Sequence, residues 1–332
     1  MILVTGGTGL VGSHLLYNLV KSGEKPRAIH RKNSDLQKVK QVFSYYTDKA
    51  EEFFKAIEWT EADINDIPAL TEAFEGISRV YHCAALVSFN VNDEKKLRKV
   101  NIKGTANVVN LCIANSIEKL CYVSSIASLG RPLNGEMVNE DSPWNPEENH
   151  SDYAISKYGA EIEVWRGSQE GLKVVIVNPG VIIGPGFWDS GSGLLFKKVD
   201  NGLNFHFPKV TGFVSVWDTV EAMRHLMKAG VKNKRYIVVS ENIAFKEVLC
   251  KTAEALDKPK PKKALKKWMI YMGWLAQKTG SVFGFKQVIT RDSAKTLFEE
   301  TRFDNGKIQE KTGLRFTPIH KVIEKTAEYY KS

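Results

Sequence analysis

The opening stretch Met1–Leu16, MILVTGGTGLVGSHLL, constrains everything that follows it. Met1–Val4 reads as a short strand buried on both faces. Thr5–Gly12 is a glycine-rich turn in which Gly6, Gly9 and Gly12 recur every third residue. From Leu10 the apolar spacing becomes that of a helix. Strand, tight glycine turn and helix, in that order, make the setting in which such glycines cradle a pyrophosphate. One glycine permits the turn, the next lets backbone approach the phosphates, and the third lets helix and strand pack closely. The helix N-terminus adds free N–H groups and the positive end of its dipole. A purely structural turn is the plainer alternative. With a strand at residue 1, no signal peptide is expected.

Pro26–Ile29 reads as a second strand, and the residues after it bear on which dinucleotide would bind. A site for NAD usually carries an acid there for the ribose 2′-hydroxyl. This chain instead offers His30, Arg31 and Lys32, with no acid before Asp35. Cations suit a 2′-phosphate, and Arg grips one bidentately, so NADP is expected, with NAD the alternative. Further strands are read at Ile57–Ala62, Arg79–Cys83, Leu120–Val123 and Val174–Val177, with a long helix over Asp93–Asn115. Strands alternating with helices predict an α/β fold, a doubly wound parallel Rossmann sheet. Asp63 closes the third strand where it could flank an adenine. Ala84 and Ala85 leave room for a ligand at the end of the fourth. Beyond Gly186 the alternation breaks. Phe213–Val216 reads as a strand leading into a helix at Thr219–Ala229, Tyr236–Val239 as a strand, and Ile243–Leu256 as a helix. Short helices at Lys307–Thr312 and His320–Tyr329 end the chain. The division expected is a dinucleotide-binding domain over 1–183, to which 213–240 returns, and a smaller discontinuous substrate-binding lobe from 184–212 and 241–332.

Tyr153 and Lys157 lie four apart in a predicted helix and so share a face. A free tyrosine has a pKa of about 10. An ammonium one turn away is expected to lower it toward the working range of an acid–base catalyst. Ser124 or Ser125, at the end of the fifth strand, can hydrogen-bond the same substrate oxygen. A tyrosine–lysine pair at this spacing is common by chance. Its meaning comes from the preceding glycine turn and serine pair, in that order.

With these residues in place, the chain resembles the extended short-chain dehydrogenase/reductases, which include the NAD-dependent epimerase/dehydratases. The motifs are TGGTGLVG at 5–12, YVSS at 122–125, YAISK at 153–157 and NPGVIIGPG at 178–186. Within that superfamily it looks most like the dihydroflavonol-4-reductase branch, through RAIHR at 27–31, VYHCAA at 80–85 and the ending FDNGKIQ…LRFTP at 303–318. The resemblance implies a catalytic triad of Ser125, Tyr153 and Lys157, with Lys157 also on the nicotinamide ribose. It implies cofactor contacts from Gly6, Thr8, Gly9, Leu10, Val11, Arg31, Lys32, Lys38, Asp63, Ile64, Ala84, Ala85, Tyr153, Lys157, Pro179, Gly180 and Val181. Asn101 would position the active-site helix, and a homodimer is implied by resemblance alone. Three functions are weighed: a carbonyl reductase or alcohol dehydrogenase on a fairly apolar substrate, including activity like that of 3β-hydroxysteroid dehydrogenases; a nucleotide-sugar epimerase or dehydratase holding NAD tightly; and a non-catalytic cofactor sensor, which would not need the triad.

Composition excludes other classes. Apolar residues at 43% and charged residues at 26% suit a soluble globular chain. Cys83, Cys112, Cys121 and Cys250 show no metal-binding spacing, so reduced thiols, no metal site and a cytoplasmic location are expected. The net charge of +9 is concentrated partly in Lys258–Lys263, continued by Lys266 and Lys267. It is read as a solvated loop, with no nucleic-acid partner. The apolar run Trp268–Gln277 is too short to span a bilayer, which takes about 20 residues, and membrane contact is not the favoured reading. Trp188, Phe196, Phe205, Phe207 and Phe213 either wall an apolar pocket or pack a core. His14 and His82 are read as core histidines, and His206 as a residue that could touch substrate.

Overall fold

A computed structural model describes residues 1–132, 136–272 and 297–332. Its strands are β1 (Ile2–Thr5), β2 (Pro26–His30), β3 (Glu58–Glu61), β4 (Arg79–His82), β5 (Lys119–Val123), β6 (Val174–Pro179), β7 (Val181–Ile183), β8 (Phe205–His206), β9 (Val210–Ser215), β10 (Lys234–Val238), β11 (Glu241–Ala244) and β12 (Lys263–Ala264). Seven form one sheet in the order β10-β6-β5-β4-β1-β2-β3, every neighbouring pair parallel. β1, β5 and β6 are buried along their whole length, which is why they read as unbroken apolar runs. β3, at the edge, is exposed at both ends.

Helices cover both faces. Leu10–Lys21, Leu36–Ser44 and Val216–Lys228 bury Leu15, Leu16, Val42, Phe43, Met223 and Leu226 against one face. Ile67–Ala73, Gly104–Ala114 and Asp152–Gln169 bury Leu70, Val108, Val109, Ala160 and Val164 against the other. The chain runs outward from β1 to β3, then crosses back to β4 and continues the other way. The reversal opens a crevice at the carboxyl ends of β1 and β4, where ligands of open α/β sheets bind. Two glycines are required there. Gly6 has φ +69°, and a Cβ on it would lie 2.6 Å from the Ala84 nitrogen. A Cβ on Gly12 would lie 2.1 Å from the Gly6 carbonyl oxygen.

The structure differs from the sequence reading in four places. The helix expected over Asp93–Asn115 is interrupted by a π-helical turn at Arg98–Lys103. That turn holds the buried Asn101, which bonds the Leu86 backbone and Ser156. The helix expected from Ile243 is preceded by β11 and starts at Phe245. The helix expected from Thr219 starts at Val216, because the Ser215 hydroxyl caps it by accepting from the Asp218 N–H. A second sheet of β11, β9 and β7 was not foreseen. Its partners are far apart in sequence, so no local pattern announces it.

Candidate functional site

The site forms where β5 ends beside helix Asp152–Gln169. Ser151 caps that helix through its hydroxyl, accepting from the Ala154 N–H at 3.2 Å. Tyr153, Lys157 and Glu161 follow at four-residue steps along one face. The strand's two serines diverge. Ser124 donates to Glu161 Oε2 at 2.7 Å. Ser125 accepts from the Ala127 N–H at 3.1 Å, and its hydroxyl opposes the rise in the Tyr153 pKa. Of the two serines weighed from sequence, Ser125 therefore faces the tyrosine.

The expected effect of Lys157 on Tyr153 is corrected. Lys157 is 1% exposed and donates to the Tyr122 hydroxyl at 2.7 Å and the Val123 carbonyl at 2.8 Å. Burial pulls its pKa down to about 7, with the Glu161 charge opposing the shift. The Tyr153 pKa moves up from its ordinary value, because desolvation outweighs the hydrogen bond to Ser125. A buried, partly discharged amine committed to other oxygens does not hold a phenolate.

Glu161 was missed by the sequence reading, although its place one turn after Lys157 was a signal. Its buried carboxylate also accepts from Asn178 Nδ2 at 3.0 Å and pairs with Arg235 at 2.9 Å. Ser128 Oγ lies 2.8 Å from it and 2.7 Å from the Ser125 carbonyl. Asn178 donates to that same carbonyl at 3.1 Å. One buried anion thus braces the backbone that carries Ser125. Phe89 was missed too. Its ring centroid lies 5.6 Å from that of Tyr153, and it is 72% exposed, with Val87 exposed beside it.

A second polar chain leads from Lys157 toward the glycine turn. The Tyr122 ring stacks on His82 with centroids 5.4 Å apart, His82 Nε2 bonds Thr105 at 2.9 Å, and His82 Nδ1 bonds Thr5 at 2.6 Å. His14 is likewise satisfied, by the Leu10 carbonyl and the Tyr46 hydroxyl, both at 2.8 Å. Desolvation lowers His82 to about 3 and His14 to about 4, from 6.5. Below pH 6.5 the unfolded chain protonates both rings while the folded protein keeps them neutral. Stability is therefore expected to fall as pH drops from 6.5 toward 4, by up to about 1.4 kcal/mol per pH unit for each histidine. Urea unfolding across that range checks this. A flat profile in wild type, or an unchanged slope in His82→Asn, would contradict it.

Residues 2–239 match the NAD dependent epimerase/dehydratase family. The chain belongs to that family. It is an enzyme family of the extended short-chain dehydrogenase/reductases, built for oxidoreductase or epimerase chemistry. Among similar proteins is a putative dihydroflavonol 4-reductase of Synechocystis sp., 26% identical, covering 99% of this chain and 94% of that one. Sterol demethylase protein B of Methylococcus capsulatus is 30% identical over 79% of this chain and 76% of its own length. The solved UDP-glucose 4-epimerase of Thermotoga maritima shares the fold, with TM-score 0.77 at 19% identity over 99% of this chain and 98% of that one.

The family's dinucleotide fits the residues at the crevice. Helix Leu10–Lys21 has no acid in its first turn, and Gly9 makes no side-chain cap. Gly6 and Gly12 let the turn pack against its own backbone, while a Cβ on Gly9 would meet only the Gly6 carbonyl oxygen, at 3.5 Å, so the turn stands open at Gly9. Thr8, Leu10 and Val11 are half-buried in the same turn, and Ala84 is half-buried opposite. Arg31 and Lys32 are exposed at the end of β2, and Lys38 is half-buried on the next helix. Asp63 is half-buried and accepts from the Asn65 N–H at 2.8 Å. Ile64 is buried, its side chain lying against Gly104. Pro179 is buried at the end of β6, and Gly180 and Val181 are half-buried after it.

The aromatic residues divide. Phe196 and Phe213 are core, at 1% and 0% exposure, while Phe205 is exposed. Trp188 packs on Tyr330, and Phe207 on Phe245. His206 is buried in β8. In the basic run, Lys258 pairs with Asp200, and Lys260 with Glu254. Trp268, Tyr271 and Met272 are exposed and Ile270 is buried; residues 273–277 of the run, Trp274 among them, lie outside the described residues. Among the described residues no helix is long and apolar enough to cross a membrane, and no cluster suits a metal ion.

Proposed function

We propose that the chain is an NADP-dependent carbonyl reductase acting on a fairly apolar aldehyde or ketone. The observation that carries this reading is a tyrosine one helical turn from Lys157, beside the exposed Phe89, whose pKa burial raises and Ser125 draws back down. A phenol that stays protonated at neutral pH is an acid ready to protonate a carbonyl oxygen. Ser125 hydrogen-bonds that oxygen and orients it. Lys157, braced by Tyr122 and Val123, meets the nicotinamide ribose, and Arg31, Lys32 and Lys38 meet a 2′-phosphate. The bound dinucleotide supplies the hydride. Residues 184–212 and 241–332 form the substrate lobe, and a homodimer belongs to the same reading. Relatives named as reductases, such as the tetraketide alpha-pyrone reductase 2 of Arabidopsis thaliana, 29% identical over 74% of this chain, support it.

A second reading is a nucleotide-sugar epimerase, supported by the UDP-glucose 4-epimerase of Vibrio cholerae at 26% identity over 87% of this chain. The two separate on cofactor balance. A reductase consumes NADPH in step with an aldehyde or ketone. An epimerase interconverts UDP-glucose and UDP-galactose with no net change in cofactor. Net NADPH oxidation across a panel of apolar carbonyls supports the first reading, and its absence alongside sugar interconversion overturns it. In Arg31→Ala the preference for NADP over NAD is expected to fall about tenfold, the loss of one charge-assisted phosphate contact. Equilibrium binding of both cofactors measures this, and an unchanged ratio removes Arg31 as the phosphate reader.

A further inference from the structure

A cavity of about 570 Å³ opens on the outer side of the helical layer, between helices Leu10–Lys21, Val216–Lys228 and Ile319–Lys331 and the turn after Ser44. None of its lining residues belongs to the set given above for the cofactor or the triad. Its volume lies in the range of small-molecule sites.

Its wall is aromatic and already assembled. Tyr17, Tyr45, Tyr46, Trp217 and Tyr329 line it. The Tyr17 and Tyr46 ring centroids lie 4.9 Å apart, and those of Tyr45 and Tyr329 5.0 Å apart. Trp217 Nε1 donates to the Tyr46 hydroxyl at 2.9 Å, and that oxygen also meets His14 Nε2 at 2.8 Å. The Tyr17 hydroxyl donates to the Tyr46 carbonyl. These bonds fix the rings before any ligand arrives, which removes an ordering cost from binding.

The rim is cationic. Lys21, Arg224, Lys228 and Lys325 face the cavity, against a single lining carboxylate, Glu221, which lies 3.9 Å from His225. Among the described residues, Lys21, Arg224, Lys228 and Lys325 form no ion pair. Arg224 is anchored through one guanidinium nitrogen to Ser22 at 2.6 Å. Its Nε is buried without a partner among the described residues. Lys325 Nζ stands 4.9 Å from the Trp217 ring centroid, so cation and ring act on one region.

We infer that this cavity binds a planar aromatic anion, a ring system bearing a phosphate or a carboxylate. The rings take the plane, and Arg224 with the rim lysines takes the charge. A neutral ring would forfeit the cations, and inorganic phosphate would forfeit the aromatic wall. The inference stands apart from the reductase reading, since it uses none of that site's residues.

Calorimetric titration with 1-naphthyl phosphate, in the presence of saturating NADPH, tests it. The probe is expected to bind at least about tenfold more tightly than either 1-naphthol or inorganic phosphate, the weight of a charge-assisted bond or of a stacked ring. Arg224→Gln is expected to weaken it about tenfold while NADPH affinity stays unchanged. Lys325→Gln, at an exposed position, keeps the test open if the first variant fails to fold, and is also expected to weaken the probe. Equal affinity for 1-naphthol, equal affinity for inorganic phosphate, or no change in the folded variants would each overturn the inference.

Discussion

Tyr153→Phe is expected to lower kcat for carbonyl reduction by about 10²–10⁴-fold, the usual worth of a positioned general acid. The substitution removes one oxygen and keeps the ring. Packing against Phe89 and the half-buried setting of the side chain are retained, so the fold and the affinity for NADPH should be unchanged. Ser125→Ala acts on the same oxygen from the other side and is expected to cost less, because the acid itself remains. The pH dependence follows from the direction of the Tyr153 shift. With its pKa raised, the phenol keeps its proton at and somewhat above neutrality, so reduction does not fail for want of an acid there. Alcohol oxidation needs the phenolate and should therefore speed up as pH rises toward the tyrosine pKa. Steady-state NADPH oxidation by wild type and both variants checks all of this. Full turnover in Tyr153→Phe would remove the tyrosine from the mechanism.

Glu161→Leu is expected to destabilise the protein by about 3–5 kcal/mol, the scale on which removing one partner of a buried ion pair acts. The loss leaves Arg235 without its carboxylate, although its Nε still donates to the Glu140 carbonyl at 2.7 Å. Ser124 and Asn178 lose an acceptor, and the brace behind the Ser125 carbonyl loosens. Glu161→Gln keeps the shape and one acceptor and should cost less. Both variants remove the negative charge that supports the Lys157 ammonium. The Lys157 pKa should therefore drop below its value of about 7, and any kinetic limb that it sets should move to lower pH. Urea unfolding gives the first effect and a pH–rate profile of the folded Gln variant gives the second. A Glu161→Leu protein as stable as wild type would show that the buried network contributes nothing net.

What the sequence made legible was local. The glycine turn, the end of β5 and the tyrosine–lysine pair are each set within a few residues by turn chemistry and by the helical period. Their order alone places them on one edge of a parallel sheet. What stayed hidden depended on partners distant in the chain. Lys157 could be placed on the face shared with Tyr153. That its amine goes to Tyr122, 35 positions away, follows only from how the helix seats on the sheet. Spacing argued for an ammonium lowering a phenol pKa, and burial reversed that direction. The π turn at Arg98–Lys103 shifts helical register by tertiary contact through Asn101, which leaves no mark on apolar periodicity. The aromatic residues between Gly186 and Phe213 carried no indication of which would be core. Phe89, the aromatic side chain packed on Tyr153, sits in a loop with no period to read. The pairing of β7, β9 and β11 joins stretches whose own patterns are too short to declare a sheet.

The account rests on Tyr153 being a protonated acid tuned by Ser125, and the most direct measurement is an NMR titration of the Tyr153 side chain in isotope-labelled protein. The expected result is a pKa above 10 in wild type, rising further in Ser125→Ala because the hydrogen bond that opposes the shift is gone. A Tyr153 pKa well below 10, unmoved by Ser125→Ala and raised by Lys157→Met, would contradict it and return the tyrosine to a phenolate held by the neighbouring ammonium.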